Sequence, residues 1–144
     1  MIKELAAASL WLSFMAAPSA HAQAGPDEIQ KRYSSAYVMC QASTEGQSTM
    51  GQIGCIADEL TVQNAALNAA YRKSAADLTP AQKAKLTAAE RAWIAFRDAD
   101  CASREDEGWG TLSRVMANLC VLNRTIERTI DLEHYPEDWA SPAN

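Results

Sequence analysis

Four cysteines, Cys40, Cys55, Cys101 and Cys120, stand in a chain of 144 residues, and no other feature limits the fold as much. A set this small has few physical uses. Zinc sites of the common kind draw several thiolates and imidazoles together, usually with a CxxC pair, and this chain has no CxxC and only His21 and His134. No metal site and no dithiol redox centre is expected. Covalent cross-linking remains: an even cysteine count in a short exported chain reads as two disulfides. Three connectivities are open to the chain. The pairing Cys40 with Cys55 and Cys101 with Cys120 closes the two shortest loops and is the expected one.

The amino terminus supplies the oxidising compartment that this reading needs. MIKELAAASLWLSFMAAPSAHAQA carries one lysine near its start, an apolar stretch and then small residues around Ala20 and Ala22, the pattern of a secretory signal peptide over residues 1–22. The apolar run is short of the ~20 residues of a membrane-spanning helix and ends at Pro18 and Ser19. No cysteine lies near the expected cleavage point, so neither a lipid nor a stable membrane anchor is expected, and the mature protein is read as periplasmic or extracellular. Residues 23–144 have the size of one small domain. The formal net charge is -5 and stays negative without the leader, which disfavours nucleic acid and leaves a basic protein partner open.

Hydrophobic spacing along the mature chain is helical throughout, and the expected fold is an all-α, disulfide-stapled bundle of about four helices. The first helix is expected from Pro26 to about Cys40, with proline and acids at its start. The second runs from about Thr49 to Ala76, with Ile53, Ile56, Leu60, Leu67 and Tyr71 on one face and Cys55, Val62, Ala66 and Ala69 on roughly the other. Thr79-Pro80-Ala81-Gln82 is a capping sequence for the third, which reaches to about Arg104. The fourth, from about Leu112 to Glu133, shows Leu112, Val115, Leu119, Leu122, Ile126 and Ile130 on one stripe and stops before Pro136. Trp139 in the tail is expected to tuck against the bundle.

Glu90 to Cys101 reads ERAWIAFRDADC, and on a helix its residues Trp93 and Phe96 share a stripe with Leu86, Glu90, Arg97 and Asp100. Charges within an apolar stripe need partners. The expected arrangement is an interhelical polar network of Arg97 with Glu90 or Asp100 and the amides of Asn64, Asn68 and Asn123. The competing reading makes Glu90 and Asp100 an acid-base pair facing a cleft. The chain has no GxSxG, no HExxH and no glycine-rich phosphate loop, so neither a catalytic site nor a cofactor is expected.

These pieces resemble the LprI-like lysozyme-inhibitor family of small exported helical domains. The resemblance runs through Cys40 and Cys55, Leu67-Asn68-Ala69-Ala70-Tyr71, Leu86 with Glu90 to Asp98 and Cys101, and Cys120 with Thr125, Arg128 and Leu132. Members usually carry a Gly-Gly-Ser-like turn before the fourth cysteine, and here it reads Gly108-Trp109-Gly110-Thr111. The resemblance implies paired disulfides, an envelope or extracellular setting and, as partner, a lysozyme. A module that blocks a sugar-binding cleft lined by carboxylates should project a donor or cation and a flat group. Arg104 and Trp109, in the loop Ser103 to Thr111, meet that description. In the alternative arrangement Trp109 packs back onto the helices and Arg104 pairs with Asp100. A non-inhibitory accessory envelope protein with a different protein partner is the other functional reading.

Overall fold

The computed structural model describes residues 24–135; the leader, Pro136 and Trp139 lie outside them. Five helices follow one another, α1 (Pro26–Arg32), α2 (Ser35–Ala42), α3 (Thr49–Ala75), α4 (Pro80–Ala102) and α5 (Thr111–Glu133), with no strand among the described residues. Short 3-10 turns, Glu45–Gln47 and Glu107–Trp109, precede α3 and α5. The helix starts predicted at about Thr49 and after Thr79 rest on side-chain caps. Thr79 and Gln82 exchange the reciprocal bonds of a capping box, and the Ser48 hydroxyl accepts from the Gly51 amide at 3.0 Å. Gly51 is required by crowding, since a Cβ there would lie 1.8 Å from the Glu45 carbonyl oxygen.

The expected single helix from Pro26 to Cys40 is two helices. Tyr33 and Ser34 adopt extended backbone between them, and the Ser34 hydroxyl caps α2 by accepting from the Tyr37 amide at 3.1 Å. Breaking a helix strands backbone groups on both sides of the gap. Two side chains of α3 take them up: Gln63 donates to the Arg32 carbonyl at 2.8 Å, and Glu59 accepts from the Ser34 amide at 3.0 Å and from its hydroxyl. Glu59, 2% exposed, also accepts from Gln63 at 2.7 Å. A buried carboxylate is thereby satisfied by three donors, and the bend that lays α2 back along α3 is fixed.

α3 and α5 form the spine, and they run parallel. Their first residues meet through Thr49 and Thr111, whose hydroxyl oxygens are 3.2 Å apart, and their last turns meet where the Ser74 hydroxyl donates to the Leu132 carbonyl. α4, which links them in sequence, lies antiparallel along α5. One core cluster joins Ile29, Tyr37, Cys55 and Ile56 to Val115, Leu122, Ile126 and Ile130 of α5; the other gathers Leu67, Ala70, Leu86 and Leu132. Leu122 and Ile126 are fully buried, each stabilising by about 1.5–3 kcal/mol relative to exposure. Four expected core positions are exposed instead: Leu112 at the first turn of α5, Val62 and Ala69 on the second face of α3, and Phe96 on the outer side of α4. α4 packs along only one side and buries just Leu86 and Cys101, so its apolar stripe is narrower than its sequence suggests.

Candidate functional site: the α4–α5 seam and its turn

Descending α4 and ascending α5 gives a series of facing pairs. Leu86 and Leu132 share a core cluster. One turn on, the Arg128 guanidinium donates to the Glu90 carboxylate, with Nε to Oε1 at 2.9 Å. Arg97 Nη1 donates to Thr125 Oγ1 at 3.2 Å, and Cys101 closes the series in a disulfide with Cys120, Cα to Cα 5.5 Å. Partners that descend in one helix and climb in the other are what an antiparallel pair requires. Cys40 is joined to Cys55, Cα to Cα 5.8 Å, so both disulfides have the expected connectivity.

The residues expected to form one polar network are divided among several partners. Glu90 bonds Arg128, and Arg97 turns to Thr125 and to Asp98, whose Oδ1 accepts from Nη2 at 2.7 Å, with its guanidinium 5.1 Å from the Trp93 ring centroid. Asp100 faces Arg124 at 3.4 Å and Arg104 at 3.7 Å. Asn123 accepts from the Tyr33 hydroxyl at 2.6 Å, on the opposite side of α5. Asn64 is half-buried and Asn68 exposed, and neither meets the charged seam. The physical reason is rotation about α3: its buried line runs through Glu59, Gln63, Leu67, Ala70 and Ser74, so Asn64 and Asn68 fall beside it. The Arg124 guanidinium is held above its ordinary pKa, chiefly by its hydrogen bond to Glu127 and further by Asp100. Glu90 and Asp100 are each met by arginine, Glu90 by Arg128 and Asp100 by Arg124 and Arg104. Asp100 and the bonded Cys101 and Cys120 are close, yet disulfide sulfurs are not the thiolates that bind metal.

Glu59, Gln63 and Arg128 were not among the residues assigned to the predicted site. The available signal for the first pair was their i,i+4 spacing inside the α3 apolar line, and for Arg128 its place one turn before Leu132, away from the apolar stripe of α5.

Beyond the seam the chain turns through Ser103 to Gly110. The Asp106 carboxylate accepts from the Gly108 amide at 2.7 Å, the Ser113 hydroxyl donates to the Gly110 carbonyl at 2.8 Å, and Gly110 has φ 61°, a conformation open to glycine. Of the two alternatives for this loop, Arg104 does pair with Asp100, but Trp109 does not fold back: it is 70% exposed. Leu112 and Met116, spaced for one face of α5, are exposed beside it.

The family profile described as Lysozyme inhibitor LprI matches residues 40–132, well over half of the chain. The chain belongs to the LprI family. Comparisons with curated proteins and with solved structures gave no match. The stretch matched to LprI begins at the first cysteine and ends at Leu132, so it contains both disulfides and every rung of the α4–α5 seam. Much of the LprI motif is thus accounted for by helix pairing, and the Trp109 turn is a feature carried on that frame. No helix among the described residues is long and apolar enough to cross a membrane.

Proposed function

We propose that this protein is an exported binding module that inhibits a lysozyme by inserting the Trp109 turn into the substrate cleft. The exposure of Trp109, 70%, on a turn held at both ends is the observation that carries the reading. An indole exposed on a capped turn offers a large, flat apolar face with a polar N–H, which suits a subsite built for a sugar ring. Leu112 and Met116 extend the apolar contact. Arg104, held by Asp100, is placed at the base of the turn, where its cation can reach the carboxylates that line such a cleft. The acidic balance of the chain favours encounter with a basic lysozyme. In this reading the leader is removed in export and the disulfides form outside the cytoplasm. Family membership supports the partner class.

The test is a turbidity assay of cell-wall lysis with several lysozyme types. The oxidised protein is expected to inhibit at least one type, and folded Trp109→Ala to need at least ~10-fold more protein for the same inhibition, the loss of about 1.4 kcal/mol of contact. Equal potency of the folded variant removes the turn from the interface. Failure of the wild type to inhibit any lysozyme at micromolar concentration removes the inhibitor reading, and leaves a non-inhibitory envelope protein with another partner.

A further inference from the structure

A recess of about 100 Å³ opens between α2 and α3, on elements that take no part in the α4–α5 seam. Its walls are largely apolar: Ala36, Tyr37, Val62 and the Cys40–Cys55 disulfide. Ala36 and Val62 are exposed, Val62 to 51%, so the mouth is open. Two carboxylates border it. Glu59 is buried at the back, its oxygens held by Ser34 and Gln63; Asp58 is exposed. Among the described residues neither carboxylate forms an ion pair, and no lysine or arginine lines the recess. The charge of Glu59 is felt locally. Burial raises the Tyr37 hydroxyl to about 12 and also raises Tyr33, and Glu59 adds to the rise at both.

A small apolar slot with an uncompensated carboxylate at its rim selects for a particular chemistry. A neutral apolar group would fill the walls and leave Asp58 unmatched. A hydrated divalent cation would find too few oxygen ligands and too much hydrocarbon. An alkyl stem ending in a compact positive charge satisfies both parts, because the stem covers apolar surface while the head remains at the wet rim.

We propose that the recess between α2 and α3 receives a lysine side chain of a partner protein, its stem against Val62 and Tyr37 and its ammonium at Asp58. This contact depends neither on the Trp109 turn nor on the partner being a lysozyme. It is tested on the oxidised chain by NMR titration with n-butylammonium, and with n-butanol as the uncharged probe. Saturable shifts of the Val62 and Ala36 methyl groups are expected with n-butylammonium, and binding about fivefold weaker for n-butanol and for Asp58→Asn, the ratio expected for an exposed ion pair of ~1 kcal/mol. Since Asp58 is exposed and makes no ion pair within the chain, Asp58→Asn should keep the wild-type amide spectrum outside the recess. Absence of a saturable shift, n-butanol binding as tightly as n-butylammonium, or undiminished n-butylammonium binding by folded Asp58→Asn would each overturn the proposal.

Discussion

Single residues in this protein are best understood by what the backbone beside them lacks. Glu59 and Gln63 lie on the buried line of α3, where polar side chains are costly, because the gap between α1 and α2 leaves an amide and a carbonyl without helical partners. Tyr33, in that gap, and Tyr37, in the first turn of α2, have ring centroids 4.8 Å apart, and the Tyr37 hydroxyl is pushed to about 12, first by burial and then by the charges of Tyr33 and Glu59. The sign follows from linkage. A hydroxyl raised in the folded state keeps its proton longer than in the unfolded chain, so its contribution is complete below the ordinary value near 10 and is lost as pH rises toward about 12. Ultraviolet titration should therefore show one tyrosine ionising near 12, and Tyr37→Phe should remove that step and flatten the alkaline loss of stability. If all tyrosines ionise near 10, the packing described around Tyr37 is wrong.

At the scale of elements, what the sequence reveals depends on whether a local signal decides the outcome. α3 starts at the expected Thr49, capped by Ser48, and the start of α4 was legible because the Thr79 capping box acts within its own turn. The break at Ser34 was not, because the groups that stabilise it come from α3, 25 and 31 residues away in their hydrogen bonds to α2 and α1. The α4 stripe was read correctly for Leu86 and half-buried Trp93, and too widely for Phe96, since periodicity gives the direction of a face but not how much of it a neighbour covers. For the candidate site, the charged residues of α4 and the pairing of Asp100 with Arg104 were legible, and their partners on α5 were not. Glu90 meets Arg128 with side chains 14% and 21% exposed, a pairing that depends on the register of α5. Glu90→Gln or Arg128→Met alone should each cost on the order of 2 kcal/mol by leaving the other partner uncompensated, and the double variant less than the sum. Chemical denaturation of the four proteins of that cycle measures it; strict additivity would show that the pair is not coupled.

For the whole molecule the two disulfides act on different halves. Cys40–Cys55 holds α2 against α3, and Cys101–Cys120 holds α4 to α5 and closes the loop that carries Trp109. Closing loops of 15 and 19 residues is expected to stabilise by about 3 kcal/mol each. Their functional weight should differ. Replacing Cys101 and Cys120 by serine should lower both thermal stability and lysozyme inhibition, whereas replacing Cys40 and Cys55 should lower stability with inhibition retained in the folded fraction. Equal loss of inhibition in the two folded variants would place the contact elsewhere. The parallel spine has a further consequence, in time rather than in strength. Thr49 and Thr111 are 62 positions apart, and Ser74 and Leu132 are 58, so the helices that share the core cannot meet until α4 has been looped out between them. Chain-closure entropy is therefore spent before the core repays it, and folding proceeds more slowly than in a bundle of sequential hairpins of equal size. Each disulfide spans only 15 or 19 positions, far fewer than the spine contacts, so a chain that is already oxidised has a shorter search to complete the spine.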